Sequence, residues 1–435
     1  MRGDRSYSAA AEGLILGILI FAAVTYGAVT TGTIIVIHWA TLALVIVTIL
    51  RKPSLPNGRL PGGWLNGPIA LLALSVALST VFSIYHYGSL RGALIIFNYI
   101  AFFYLVAINL RDRGAVTRFL TTMVVAAALL PFVGALQDWS GGSRAAGLAL
   151  FPESFKIGTF PNENHFAAFL TLVLPAGLGL AGYLARERRW GWLVAIVACL
   201  ALGTVALMET LTRAAWMGTV FGLLAMLIVL VLARAVPAER KLQAAAAVAT
   251  VLLFAIGLAP DRAVQQMKSI VALGDDSIAF RHAVWSDSLP IVRDHPLLGT
   301  GPRTFYLTYT PYRSTKDGLP TLFVDFPHND YLQYGIEMGV PAAAALIAVL
   351  VLLIYNLGRR GAAAPFGSEF PLVLGMLGSV VAFATAAFYS FELSITANGL
   401  MLWAMLAVGY RMLTLDEIAG SNGFTEDGPR GSAAF

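Results

Sequence analysis

The stretch TIIVIHWATLALVIVTIL, Thr33 to Leu50, decides the fold class. It contains no Asp, Glu, Lys or Arg, and its length matches the roughly 20 mostly apolar residues that a helix needs to cross a hydrocarbon core about 30 Å thick. Runs like it recur almost from end to end of the 435-residue chain, which is 58% hydrophobic and only 12% charged. Mean hydropathy is +0.75. An average soluble domain is about 25% charged, so a water-soluble fold is excluded. The alternating pattern of barrel strands is absent, which leaves a helical bundle as the way to satisfy every backbone group in lipid.

Working outward from that run, charge, Gly and Pro delimit spans near 11–29, 33–50, 65–83, 91–109, 116–137, 165–185, 191–208, 214–233, 242–259, 329–355, 369–389 and 393–413. The expectation is an all-α polytopic membrane protein of about 12 helices. Residues 1–415 form a single transmembrane domain, with one long loop at 260–328 between the ninth and tenth helices. The first and last pairs of spans join through tight turns, at Thr30 to Gly32 and at Phe391 to Ser394. The basic start, Met1 to Arg5, leads into an apolar run with no small-residue cleavage site, and it reads as a retained helix rather than a leader. The tail at 416–435 is polar and Gly-rich, and is expected to be disordered and cytoplasmic.

Cytoplasmic loops retain Lys and Arg. With the N-terminus inside, Arg2, Arg5, Arg51, Lys52, Arg59, Arg111, Arg113, Arg186, Arg188, Arg189, Arg234, Arg240, Lys241, Arg359 and Arg360 all fall in alternate loops. The opposite loops carry few, notably Arg91, Arg144, Lys156 and Arg213. Both termini are then cytoplasmic and the long loop is periplasmic. The net charge of +5 is spread over loops rather than one face, so nucleic acid is not an expected partner, whereas membrane lipid is. The single cysteine, Cys199, lies in an apolar run and forms no intrachain disulfide.

The chemistry is expected in and around the long loop. No phosphate-cradling Gly-rich loop with Lys-Ser/Thr and no His-Glu-x-x-His occurs. Nor does the loop hold an Asp-x-Asp pair for a metal beside a diphosphate. A phosphate handled there must be handled by arginine, with no metal and no cofactor.

Four segments stand out. Gly158-Thr-Phe-Pro-Asn162-Glu-Asn164-His165-Phe-Ala167 opens the sixth span; Asn162 and Asn164 suit sugar hydroxyls, and equally a turn and helix cap. Leu211-Thr212-Arg213-Ala-Ala-Trp216-Met-Gly218 puts a guanidinium at the membrane boundary, either as a functional charge or as an arginine snorkelling to headgroups. Arg281-His-Ala-Val-Trp285 lies in a stretch, Ile278 to Leu289, whose Phe280, Val284, Trp285 and Leu289 fit an amphipathic helix lying along the membrane surface and ended or kinked by Pro290. There Arg281 suits a bidentate phosphate clamp, or is a solvated surface charge. The following His295-Pro296-Leu-Leu-Gly299-Thr-Gly301-Pro302 reads as a turn that shapes the loop. Last, Pro327-His328-Asn329-Asp330-Tyr331 begins the return to the membrane. His328 suits a base for a sugar hydroxyl, or a structural histidine; Asn329 suits a helix cap; Gly335 and Gly339, four apart, suit close helix packing.

In order and placement these segments resemble the O-antigen ligase and O-antigen polymerase superfamily of bacterial membrane glycosyltransferases. Its members typically carry Gly-x-Phe-x-Asn-x-Asn, then Ser/Thr-Arg-x-x-Trp before a span, then a long periplasmic loop with Arg, His-Pro-x-x-Gly-x-Gly and a terminal His-Asn/Ser. The specific motifs lie between Gly158 and Gly339. Two departures are mild: Thr-Arg-Ala-Ala stands where Ser-Arg-Gly is more usual, and the loop is shorter than in some members.

The resemblance implies a GT-C-like fold in the bacterial inner membrane with a periplasmic active site. It implies transfer of a glycan from undecaprenyl diphosphate to an acceptor hydroxyl, inverting and metal-independent. Arg213 and Arg281 would neutralise the diphosphate and His328 would activate the acceptor, with Asn162, Asn164, Arg91 and Asn329 as substrate-binding candidates. O-antigen ligation to lipid A-core is the leading expectation. A polymerase of O-antigen, exopolysaccharide or capsule would use the same donor chemistry, but the His328 motif and the single dominant loop favour the ligase. A lipid-glycan transporter would need charges or helix breakers in the middle of several spans, and these are scarce.

Overall fold

The computed structural model describes residues 2–51, 60–139, 158–257, 276–314, 323–363 and 369–422, together with Asp261 and Gln265. Among them every regular element is helical. The elements are α1 Arg2–Val24, α2 Thr31–Leu50, α3 Asn66–Val81, α4 His86–Asn109, α5 Arg113–Trp139, α6 Glu163–Arg186, α7 Trp190–Glu209, α8 Arg213–Leu232 and α9 Ala238–Gly257. After the long loop's own α10, Asp276–Asp294, come α11 Asp330–Met338, α12 Val340–Ala363, α13 Phe370–Ala386 and α14 Thr396–Asn422.

Among the described residues nine helices, α1 to α8 and α12, are long and apolar enough to cross a membrane. The expected spans at 242–259, 369–389 and 393–413 correspond to α9, α13 and α14, which are not among the nine; α13 is only 17 residues long. The expected span at 329–355 is two helices. Gly339 takes φ 85° and closes α11, so α12 starts afresh at Val340. Gly339 is therefore a helix stop, where a side chain would also collide with the Leu297 backbone, whereas Gly335 lies inside α11 and a Cβ there would make only ordinary contact with Ala343. The closing helix runs to Asn422, into the stretch expected to be a disordered tail; the rest of that tail, and most of the loop before Asp276, lie outside the described residues.

Burial sorts the bundle into centre and rim. In its spanning window α6 is 83% buried and α7 only 28%, so α6 is central and α7 faces lipid. Beside α6 sits α13, whose apolar residues from Leu372 to Phe383 are mostly buried. Gly218 and Gly222 let α8 close on it: a Cβ on either would meet the carbonyl oxygens of Ala382 or Gly378. One end of the bundle is stapled by cations. Arg118 pairs with Glu12 at 2.6 Å, Arg113 with Glu369, and the Arg411 guanidinium donates to the carbonyls of Leu110 and Arg111 at 3.1 and 3.2 Å. The candidate site is at the other end.

There the loop builds a small core of its own. Val284 and Ile291 of α10 pack with Phe305, Tyr309, Val324 and Ile336. Of the residues expected to form its apolar face, Val284 is buried, while Ile278 and Leu289 are 42% and 60% exposed. Pro290 does not end α10, which continues to Asp294 with the proline inside. The His295–Gly301 turn wraps the end of α11, with Thr300 N–H donating to Ile336 at 3.0 Å and Gly301 N–H to Glu337 at 2.8 Å. At Gly299, φ 64°, a side chain would collide with the Glu337 backbone, so the glycines are needed for this close approach.

Candidate active site

Arg213 is the first residue of α8, where the chain reverses out of α7 through Leu211 at φ 52°. The reversal is locked by Trp216, whose indole N–H donates to the Leu207 carbonyl at 2.9 Å. The Thr212 hydroxyl donates to Asn164 Oδ1 at 3.0 Å. That bond ties the turn to the start of α6, and the short Thr-Arg-x-x-Trp spacing thus aims one guanidinium.

Asn162, exposed, caps α6: its side chain accepts from Asn164 N–H at 2.8 Å. Next to it, His165 is buried, with Nδ1 3.1 Å from Glu392 Oε2. Glu392 also accepts from the Ser390 hydroxyl and from Asn398 Nδ2 at 3.0 Å. This network freezes the turn between α13 and α14, which reaches the same place as the α6 start and the α7–α8 turn.

A cavity of about 260 Å³ opens where they meet, lined by Asn164, Thr212, Arg213, Arg281, Tyr389 and Ser390 among others. Three sequence candidates far apart in the chain, Asn164, Arg213 and Arg281, thus share one wall. Arg281 arrives on α10, which is fastened by Trp285: the indole N–H donates to the Pro327 carbonyl at 2.8 Å.

His328 follows directly, in the left-handed region at φ 53°. A non-glycine residue there costs on the order of 1–3 kcal/mol and needs its neighbours to hold it. They do: Asp330 N–H donates to Ala387 at 2.9 Å, and Asn329, buried, caps α11 by accepting from Leu332 N–H at 3.0 Å. The Phe391 ring stands edge-on to both His328 and His165, centroids 4.9 Å from each. Burial, then the positive charge of Arg281, lower the His328 pKa to about 4. The ring is neutral at ordinary pH, an acceptor rather than a cation.

Below it, burial and then the Glu392 carboxylate push Asp330 well above the usual carboxylate range. Its oxygens accept from the backbone N–H groups of Glu392 and Leu393 at 3.0 and 3.1 Å. Glu337 accepts from Arg303 and Phe305 N–H at 2.8 and 3.3 Å, and burial raises it to about 7.

Arg91 is not part of the cavity lining. It donates to the Thr31 hydroxyl at 2.7 Å and lies over the Tyr87 ring at 5.8 Å. Sequence reading missed Tyr389, Ser390, Asp330 and Glu392. The signal for the last was weak: a lone carboxylate in the turn between two apolar runs, opposite the buried Asn398.

Two guanidiniums lining one cavity present planar cationic donor sets, suited to a diphosphate; His328 is not among the lining residues and is linked to them through the charge of Arg281. No curated protein matches the chain. Residues 197–347 match the family described as O-antigen ligase. That segment runs from α7 to α12 and takes in Arg213, Arg281 and His328, so over it this membrane protein is O-antigen ligase-like.

Proposed function

We propose that the chain transfers a glycan from undecaprenyl diphosphate to an acceptor hydroxyl at the periplasmic face of the bacterial inner membrane, and that it is a ligase acting on lipid A-core. The observation that carries this reading is the shared cavity of Arg213, Arg281 and Asn164, with Arg281 electrostatically coupled to His328.

The acceptor oxygen attacks the anomeric carbon as the bond from that carbon to the phosphate oxygen breaks. Charge accumulates on the departing diphosphate, which stays on its lipid. Arg213 and Arg281 meet that charge, and preorganised donors of this kind are worth about 3 kcal/mol each. The acceptor proton passes to His328. Direct displacement inverts the anomeric centre.

Occupation of the cavity also tunes the base. The Arg281 charge is the second cause of the low His328 pKa. A bound diphosphate compensates that charge, so His328 becomes a better base when the donor is in place.

The test is a reconstituted assay of the full chain with undecaprenyl-diphosphate glycan and either lipid A-core or a second lipid-linked glycan. A product on lipid A-core supports the ligase, and a lengthened lipid-linked glycan replaces it with a polymerase. Transfer by His328→Ala at the wild-type rate contradicts the mechanism.

A further inference from the structure

Arg281 and Trp285 lie four residues apart on α10 and so share a face. One helical turn, about 5.4 Å, is the scale of a single sugar ring. A ligand gripped by Arg281 has Trp285 as its next neighbour.

Trp285 is half-buried, and its N–H is committed to Pro327, which fixes the plane of the ring. Around it is an aromatic group that the transfer chemistry does not use. His282 stacks on it with centroids 5.5 Å apart and planes at 24°. Phe388 meets it edge-on at 5.5 Å and 77°, and Tyr389 lies tilted at 6.1 Å. Phe388 and Tyr389 contact each other at 5.1 Å. Tyr389 also lines the cavity, so the aromatic group is continuous with the cationic wall. Phe388 is 44% exposed.

We propose that His282, Trp285, Phe388 and Tyr389 form a stacking platform for the sugar attached directly to the donor's diphosphate. A pyranose presents faces of C–H bonds and a rim of hydroxyls. The C–H faces carry slight positive charge and meet the negative faces of aromatic rings. The rim has Asn164 and Ser390 within the same cavity. A sugar joined covalently to the diphosphate has to lie within one ring's length of the arginines, which is where the platform begins. The other apolar portion of the donor, its prenyl chain, is less suited, because the platform is edged by an exposed histidine and a phenol. The inference rests on the reading of the cavity as a diphosphate site, and it names the part of the donor that gives affinity beyond the phosphates.

The test is equilibrium binding of two lipids to the full chain in nanodiscs: undecaprenyl diphosphate, and the same lipid carrying one N-acetylglucosamine. Phe388→Leu and Trp285→Leu keep apolar volume and remove the ring. Phe388→Leu is expected to weaken binding of the glycosylated lipid roughly fivefold and to leave the sugar-free lipid unchanged; Trp285→Leu, which also releases the Pro327 carbonyl, is expected to weaken both, the glycosylated lipid by roughly fivefold more. Trp285→Phe, which keeps an aromatic face, is expected to restore most of the difference. Equal loss for both lipids, as a prenyl site or a purely structural role would give, overturns the platform alone, and so does no loss for either. If the wild-type chain binds neither lipid, the diphosphate reading fails and the platform with it.

Discussion

The indole N–H of Trp285 donates to the Pro327 carbonyl at 2.8 Å, which fastens the helix carrying Arg281 to the residue immediately before His328. The proposed diphosphate ligand Arg281 and the proposed base His328 are therefore held to one another by a single fastened contact. The two are electrostatically coupled: after burial, the Arg281 charge helps hold His328 down at about 4.

The pH profile follows from that coupling. With a folded-state pKa of about 4 against 6.5 for an unperturbed histidine, the free enzyme keeps its neutral base at every pH well above 4. The dependence of kcat/KM on pH should then show no inflection near 6.5. Arg281→Gln removes one of the depressing charges and should move the acid limb to higher pH. The same shift has a stability consequence. The neutral ring favours the folded state above pH 6.5, and this contribution is lost as pH falls from 6.5 through about 4. An inflection near 6.5 in the wild type, unmoved in Arg281→Gln, would count against the coupling.

Backbone strain at His328 yields a second expectation. A glycine adopts φ 53° freely, whereas alanine does not. His328→Gly should therefore melt above His328→Ala, by the equivalent of about 1 kcal/mol, while both lose transfer. Matching melting temperatures would mean that the left-handed conformation relaxes once the imidazole is gone.

Glu337 anchors the loop core to the bundle through the N–H groups of Arg303 and Phe305. Glu337→Ala strands both donors in a buried place and should cost about 2–3 kcal/mol. Its carboxyl is raised to about 7 in the fold, so its contribution is complete below pH 4.5 and declines as pH rises through 7. Thermal melts across that window check both statements: the His328 contribution, of opposite sign, is common to both proteins, so the stability advantage of the wild type over Glu337→Ala should shrink as pH rises from 4.5 through 7.

The α7–α8 turn is held by the Trp216 indole, and α8 reaches α13 through Gly222. Trp216→Phe keeps most of the apolar volume but loses the bond to Leu207. It should cost about 1 kcal/mol and lower kcat through misplacement of Arg213. Gly222→Val forces α8 away from α13 and should destabilise by roughly 1–3 kcal/mol. Thermal melts in detergent, read beside transfer rates, separate the two: activity falls ahead of stability in the first and with it in the second.

The bundle was legible because lipid imposes length and apolarity on each span, and eight of the first nine expected spans coincide with helices that meet both conditions. Where the sequence misleads, a local rule meets tertiary context. Gly335 and Gly339 look like a packing stripe until the φ of 85° at Gly339 ends a helix. Pro290 reads as an end or a kink, and α10 continues through it to Asp294. Arg213, Arg281 and Asn164 stood out as polar residues beside apolar runs, and they do share a wall. Glu392 did not, because its partners His165 and Asn398 are brought to it only by the packing of α6 and α14. Tyr389 and Phe388 read as the end of a span, and only the fold sets them against Trp285.

Arg213 and Arg281 are proposed to hold the donor's diphosphate jointly. The most direct measurement is the affinity of undecaprenyl diphosphate for the full chain in nanodiscs, comparing the wild type, Arg213→Gln, Arg281→Gln and His328→Ala. Each arginine substitution should weaken binding at least about tenfold, the scale of losing one charge-assisted pair. His328→Ala should bind as the wild type does while failing to transfer. Wild-type affinity in both arginine variants would contradict the account.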